Sequence, residues 1–115
     1  MGGDVAAFLR RLLIGRTRRA NKAIVGAFDG LVDGVWQGWA LDRTMPGRPL
    51  AVTLVTTAGR HIEILADHYR ADVHQLQPGH GYYGFRVPAR LLPGEEPRRI
   101  LVGTVTLPPS RAARD

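Results

Sequence analysis

The sequence predicts an all-β fold, an antiparallel Ig-like or jelly-roll-like β-sandwich that follows a short N-terminal amphipathic helix. From Ile24 onward, apolar and polar residues alternate in short runs, which is typical of strands with one buried face. The 14 glycines and 8 prolines suit many turns better than long helices. The 115 residues are the length of one domain, which we divide into an arm (1–22), a sandwich (23–108) and a tail (109–115).

The arm is predicted to be a basic amphipathic helix. Its apolar residues recur at helical spacing and form one stripe, beside which two arginines lie. A helix of about eleven residues is about 16 Å long, too short to span a bilayer core of about 30 Å. We therefore expect it to lie on an anionic membrane, a protein partner or its own sandwich. The residues expected to make this contact are Phe8, Leu9, Arg10, Arg11, Leu12 and Leu13.

Most of the net charge of +6 belongs to this arm. Residues 1–22 hold six of the 16 basic residues beside a single acidic one, Asp4, and therefore carry +5. The other 93 residues carry only +1, which argues against a broad phosphate-binding face on the sandwich. Nucleic-acid binding through the arm is thus an alternative that we do not favour. The absence of cysteine excludes disulfides, thiolate metal sites and cysteine nucleophiles.

The predicted strands are, in order, AIVGAF, VWQGWAL, LAVTLVTT, RHIEILA, GFRV and RILVGTVTL. Aspartate–glycine pairs in DGLVDG favour tight turns after the first strand. Ala58 and Gly59 are expected to form a two-residue hairpin between the third and fourth strands. In the fourth strand, Ile62, Ile64 and Ala66 are predicted to share one face.

The second predicted strand contains both tryptophans, on opposite faces. Trp39 is predicted to be a core residue, because burial of an indole removes much apolar surface from water. Trp36 shares its face with Gly38 and Ala40, which leave room above the sheet. We therefore expect Trp36 to be more exposed than Trp39, or to be covered by the N-terminal helix.

The segment LADHYRADV places several chemically active side chains at the end of a strand. As a metal site, this part of the chain offers oxygen and nitrogen ligands but lacks the spacing of zinc or calcium sites, so we predict neither a metal nor another cofactor. The candidate ligands are Asp67, His68, Asp72, His74 and His80. Read as catalytic, Asp67 and Asp72 could be the two carboxyl groups of a carbohydrate-active enzyme if a cleft lay between them. A structural corner requires fewer assumptions, and we predict that the chain is not an enzyme.

In the structural interpretation, Asp67 caps the turn that follows the strand. Tyr69 packs its ring while its hydroxyl reaches the backbone, and Arg70 pairs with Asp67 or Asp72. A short helical crossover then brings Val73 and a second apolar residue into the core. That second residue is Leu76, and the glycines expected to permit positive-φ turns toward Phe85 are Gly79, Gly81 and Gly84.

Three motifs in order, GWAxD, ADxYRxD and GxxGF, resemble a small β-sandwich module of bacterial glycan-related proteins. That module occurs beside glycosyltransferases and similar cell-surface biosynthesis proteins, and the resemblance covers residues 26–107. It implies a non-catalytic accessory or binding domain, and it carries over no catalytic residues. The motif residues to which we assign structural roles are Trp39, Asp42, Asp67, Tyr69, Arg70, Asp72, Gly84 and Phe85.

The function expected from these observations is that of an interaction module associated with bacterial envelope polysaccharide or glycosyltransfer. Its partner would be a protein or a glycan, and its location cytoplasmic, with peripheral contact at the inner membrane through the arm. Sugar recognition combines aromatic faces with hydrogen-bonding side chains. The candidate carbohydrate-binding residues are Trp36, Arg48, His80, Tyr82 and Tyr83, of which the adjacent tyrosines point to opposite sides.

Overall fold

The computed structural model describes residues 23–110 and confirms the all-β prediction. The predicted N-terminal helix and residues 111–115 of the tail lie outside the described residues. The strands are, in chain order, β1 (Ile24–Val32), β2 (Val35–Asp42), β3 (Leu50–Thr56), β4 (His61–Ala66), β5 (His68–Tyr69), β6 (Tyr82–Pro88), β7 (Pro97–Val102) and β8 (Val105–Thr106). One short helix, α1 (Ala71–Leu76), links β5 to β6, and a 3-10 turn (Ala89–Leu91) follows β6.

The strands form two antiparallel four-stranded sheets. The first sheet has the order β1-β2-β6-β5, and the second has the order β4-β3-β7-β8. Alternating apolar residues of both sheets meet in the main core, and Ile62, Ile64 and Ala66 of β4 contact it as predicted. Within residues 23–110, no helix is long and apolar enough to cross a membrane. The buried members of the main core are Ala40, Val52, Leu54, Ala66, Phe85, Val87, Leu92, Ile100, Val102 and Leu107.

The two aspartate–glycine pairs near the first hairpin have different roles. Asp33 and Gly34 form the tight turn between β1 and β2, both with positive φ (51° and 77°). Asp29 and Gly30 lie inside β1, where the pairing with β2 shifts after Phe28. Asp29 is the extra residue of this β-bulge, and Gly30 adopts φ 91°. The sequence pattern predicted a turn at both pairs, and only the second one is a turn.

Two further connections differ from the predictions. The β3–β4 hairpin has a three-residue loop instead of the predicted two, because the Thr56 N–H donates to the Arg60 carbonyl (2.9 Å) and Thr57, Ala58 and Gly59 lie between them. Gly59 takes φ 82°, the left-handed position of such a loop. The run RILVGTVTL, predicted as one strand, is divided between β7 and β8, which pair with each other.

Both tryptophans are partly buried and lie on opposite faces of β2, and it is Trp36, not the predicted core residue Trp39, that packs against the main core. Trp36 faces the main core, where it stacks on Phe28 with ring centroids 6.2 Å apart, and its indole nitrogen is buried. The room above Gly38 is filled by Phe85, its cross-strand partner on β6. Trp39 is half-buried on the opposite face of the sheet. Alternation correctly separated the two indoles but did not show which face meets the second sheet.

A second, smaller core lies against the first sheet. Its buried members are Leu41, Val73 and Tyr83, and Val25 and Trp39 pack against them. Val73 belongs to α1, so the crossover helix contributes one buried side chain here, as predicted.

The prediction that Leu76 enters the core is wrong, because this side chain is 81% exposed. Leu76 is the last residue of the six-residue α1, three positions after the buried Val73. Gln77, at the C-cap, already has extended φ and ψ (−125° and 155°). A helix this short has one inward-facing position, and the apolar spacing alone could not show that Leu76 falls outside it.

Gly38→Ala is expected to destabilise the fold. A Cβ at position 38 would clash with the backbone carbonyl oxygen of Ala27 and would lie 2.5 Å from Cζ of Phe85, which is fully buried. We expect a loss of about 1–3 kcal/mol in the free energy of unfolding, measured by urea denaturation. Gly47→Ala is the control, since its Cβ would meet nothing within 4 Å. Equal stability of the two variants would contradict the packing described for Phe85.

Candidate functional site

Arg70 connects the two edges of the first sheet. Its Nε and Nη2 donate to the two carboxylate oxygens of Asp72 (3.1 and 2.7 Å), and its Nη1 donates to Asp29 in the β1 bulge. The side chains of Arg70 and Asp29 are only 21% and 15% exposed. We call these three residues the Arg70 network. The predicted pairing of Arg70 with Asp72 is confirmed, and its pairing with Asp29 is new.

Gly84 of β6 provides the space that Arg70 occupies. It lies between Trp39 of β2 and His68 of β5 in the strand pairing. A Cβ at Gly84 would lie 3.0 Å from both Cγ of Arg70 and the His68 carbonyl oxygen. We predicted positive φ for Gly84; that prediction is wrong, since among the three glycines of this segment only Gly79 and Gly81 have it. Its role is to let the arginine side chain lie flat on the strand.

The ion pairs shift the pKa values of Arg70 and Asp72 in the directions that stabilise charge. Burial opposes the charged form of Arg70, but hydrogen bonds with Asp72 and Asp29 outweigh it and raise the pKa. The hydrogen bond from Arg70 lowers the pKa of the Asp72 carboxyl. Asp72 is therefore ionised at neutral pH. A general acid of glycoside hydrolysis requires the opposite shift.

Asp67 does not have the role that the sequence suggested. Its side chain is half-exposed, and its partner is the neighbouring His68, whose Nε2 lies 3.7 Å away. The N-cap of α1 is Arg70, and no side chain caps this position. The prediction that Asp67 caps the turn is therefore wrong, and of the two predicted partners of Arg70 the structure shows Asp72. Within residues 23–110, no group of three or more histidine and carboxylate side chains is arranged to hold a metal ion.

The other motif residues have packing or turn roles. Asp42 ends β2, where one of its carboxylate oxygens accepts hydrogen bonds from the backbone N–H (2.9 Å) and the hydroxyl (2.6 Å) of Thr44. Ala66 is fully buried in the main core. Gly81 takes φ 83° and lets β6 pass close to α1, since a Cβ there would lie 2.6 Å from Cβ of His74.

Four half-exposed rings lie together beside α1 and the start of β6. The ring of Tyr69 lies 5.1 Å from that of Tyr82 and 5.5 Å from that of His74. The ring of His80 lies 5.4 Å from that of Tyr82. We call Tyr69, His74, His80 and Tyr82 the aromatic cluster. It forms a continuous aromatic surface next to the Arg70 network.

Hydrogen bonds hold these rings in place. The Tyr69 hydroxyl and Nδ1 of His74 share a hydrogen bond (2.8 Å), whereas the sequence prediction had assigned this hydroxyl to the backbone. The backbone N–H of Tyr82 donates to Nδ1 of His80 (3.0 Å), so the neutral His80 ring carries its proton on Nε2. The cluster therefore combines ring faces with polar ring nitrogens.

Tyr83 anchors the cluster from below. It is 1% exposed, whereas the adjacent Tyr82 is 51% exposed, as predicted for neighbours that point to opposite sides. The buried ring of Tyr83 stacks under His80 with centroids 5.1 Å apart. Its hydroxyl lies 2.7 Å from the carbonyl oxygens of both Pro46 and Pro78, which share its single donor hydrogen. Two loops are thus joined through one buried side chain.

The structure brings together most of the predicted carbohydrate-binding residues. His80 and Tyr82 belong to the aromatic cluster, and Tyr83 supports it. Arg48 lies in the loop that Tyr83 holds, where its Nη1 contacts Sδ of Met45 (4.0 Å). Trp36 lies apart from them, against the main core.

Sequence reasoning missed two members of this surface. Tyr69 was assigned a purely structural role, and His74 was considered only as a metal ligand. One signal for their contact was available in the sequence. Tyr69 and His74 are five residues apart, on either side of the predicted helical turn. Their contact with Tyr82 depends on the pairing of β5 with β6, which local spacing does not show.

Comparison of the chain with protein-family models, with curated proteins and with solved structures found no match. The basis for a functional proposal is therefore the geometry of this surface together with the three sequence motifs.

Removal of Asp29 is expected to cost more stability than removal of Asp67. Asp29→Ala takes away one partner of a partly buried arginine, and we expect a loss of about 1–3 kcal/mol in the free energy of unfolding. Asp67→Ala is the matched control and should change this value by less than about 0.5 kcal/mol, because Asp67 has only an exposed contact. Urea denaturation of both variants tests the comparison. A larger loss from Asp67→Ala would restore the capping role.

Proposed function

We propose that this chain is a non-catalytic β-sandwich interaction module, Ig-like or jelly-roll-like in type, that serves bacterial envelope polysaccharide synthesis by contacting a glycan. The observation that carries this proposal is the aromatic cluster, in which four exposed rings contact one another and those of Tyr69, His74 and His80 are also held by hydrogen bonds. The motif resemblance gives the biological setting, and the cluster gives the contact surface.

The chemistry of the cluster suits a sugar. Pyranose rings present apolar C–H faces that pack on aromatic rings, and hydroxyl groups that need hydrogen-bonding partners. Tyr69 and Tyr82 offer exposed ring faces about 5 Å apart, and His80 offers an Nε2 donor. Because the rings are already positioned, binding would cost little additional side-chain ordering.

The electrostatics support a non-catalytic role. The two aspartates of the alternative enzymatic interpretation have unlike surroundings: Asp72 is neutralised by Arg70, and Asp67 is exposed next to His68. The lowered pKa of Asp72 is unsuited to proton donation near neutral pH. A binding module requires neither carboxyl group to change its protonation state.

We also propose a cytoplasmic location, with peripheral contact at the inner membrane through the arm. The arm lies outside the described residues, and its sequence supports the proposal: an apolar stripe flanked by arginines is typical of interfacial helices. The nearly neutral sandwich would then be held at the surface where envelope polysaccharide precursors are assembled.

Tyr82→Ala is expected to weaken glycan binding without unfolding the domain. The probes are purified bacterial capsular and O-antigen polysaccharides in affinity gel electrophoresis. Loss of one stacking face should lower the affinity about tenfold. Leu91→Ala is the control, because Leu91 is equally exposed but lies beyond the other end of β6, and should leave mobility unchanged. If no polysaccharide retards the wild-type chain, the glycan contact is wrong.

The arm is expected to bind anionic vesicles. In flotation with phosphatidylglycerol-containing vesicles at low salt, the full-length chain should rise with the lipid, because each basic residue contributes about 1 kcal/mol near an anionic surface. Phe8→Asp and added salt should each reduce binding, and vesicles of phosphatidylcholine alone are the control. Failure to float with anionic vesicles would contradict the membrane contact and leave a partner protein or the sandwich as the stripe's contact.

A further inference from the structure

A groove lies beside the aromatic cluster, toward the other end of β6. Its volume is about 280 Å³, and its lining residues are Val35, His68, Arg86 and Pro88. Val35 and Pro88 are cross-strand partners and form an apolar wall, while Arg86 and His68 supply the cationic and imidazole groups. The groove therefore combines an apolar surface with basic nitrogen donors.

Arg86 differs from the other central arginine of this sheet. Arg70 is held between two carboxylates, whereas Arg86 is exposed and has no carboxylate within 4.0 Å in the part of the chain that the structure describes. Its neighbour His68 meets only Asp67, 3.7 Å away and half-exposed. The five N–H donors of the Arg86 guanidinium are thus available to a ligand.

The groove and the aromatic cluster lie along one strand. Tyr82, Gly84, Arg86 and Pro88 alternate along β6 on the face opposite to the core residues Phe85 and Val87. Arg86 is four positions after Tyr82 on the strand, a distance of about 13 Å at about 3.3 Å per residue. This distance is within the reach of a short oligosaccharide that contacts both places.

We propose that this groove binds the carboxylate of an acidic saccharide, with Arg86 as its main partner, while another sugar of the same chain stacks on the aromatic cluster. This inference rests on the proposed function and specifies its ligand as an acidic glycan. A planar guanidinium can hold a carboxylate through two parallel N–H···O bonds. A uronic acid carries this group on the ring that the apolar wall of Val35 and Pro88 would contact.

The charge pattern favours a glycan over a nucleic acid. Residues 23–110 contain eight arginines and eight acidic residues, so no broad positive face accompanies Arg86. An acidic saccharide with widely spaced carboxylates needs only one positive groove for each carboxylate, whereas a nucleic acid needs a continuous positive face.

The test compares acidic oligosaccharides with their neutral methyl esters. The probes are oligogalacturonate and oligomannuronate of about six sugars, titrated into the full-length chain at low salt and followed by backbone amide NMR. We expect the acidic forms to bind at least about tenfold more tightly than the esters, and to shift the amides of Arg86 and His68. Arg86→Gln should abolish this preference, leaving the acid with the weaker affinity of the ester.

Arg90→Gln is the matched control. Arg90 is likewise exposed and without a carboxylate partner within residues 23–110, but it lies on the 3-10 turn after β6 and does not line the groove. The basic arm is common to the wild type and both variants, so its attraction for acidic probes cancels in the comparison. The inference would be overturned if the Arg86→Gln variant preferred the acid as strongly as the wild type does. It would also be overturned if the Arg90→Gln variant lost this preference.

The remaining outcomes separate this inference from the proposed function. If acid and ester bind equally and Tyr82→Ala weakens both, the glycan module stands and the acidic groove is wrong. If neither oligosaccharide binds but binding of a bacterial polysaccharide still requires Tyr82, the glycan module likewise stands and the acidic groove is wrong. If no saccharide binds and a single-stranded oligonucleotide binds in an Arg86-dependent manner, both proposals fail in favour of nucleic acid.

Discussion

The contact of Arg70 with Asp29 across the first sheet is the constraint on which the rest of this surface depends. A long cationic side chain can lie on a sheet only where the strand beneath has no side chain of its own, and Gly84 provides that place. The β1 bulge provides the acceptor by bringing one extra residue, Asp29, into the strand. The ion pair between Arg70 and Asp29 thus depends on three segments of the chain: the one that holds the arginine, the β1 bulge and the strand that contains Gly84.

This link also positions the residues that could contact a ligand. Arg70 lies between β5 and α1, so fixing its side chain fixes the ends of both elements. Tyr69 precedes Arg70, and His74 follows it in the first turn of α1. The hydrogen bond between Tyr69 and His74 joins two of the four members of the aromatic cluster. Val73 from the same turn is buried in the smaller core. The exposed rings are therefore supported by ion pairs and apolar packing together.

The sequence predicted local features well and long-range ones poorly. Alternation identified the longer strands and the opposite sides of Tyr82 and Tyr83, but it missed the two-residue β5 and did not separate β8 from β7. The short crossover helix with Val73 inside was also predicted. It could not predict the partner of Arg70, because Asp29 is 41 residues away and reads as part of a turn signal. It also could not decide which face of β2 meets the second sheet, since both faces of that strand carry apolar residues.

The motif pattern marks the scaffold more than the contact surface. Its fixed positions include Ala66 and Phe85 in the core and Arg70 and Gly84 in the sheet-spanning link, although Asp67 is exposed and nothing in the structure explains it. Two positions that the pattern leaves open, His68 and Tyr82, are exposed along β5 and β6. We propose that most of the ligand contact comes from residues that the motifs do not specify, because His68 and Tyr82 are exposed whereas the motif residues Ala66 and Phe85 are buried. Tyr69 is the exception, since it is a motif residue whose exposed ring belongs to the aromatic cluster.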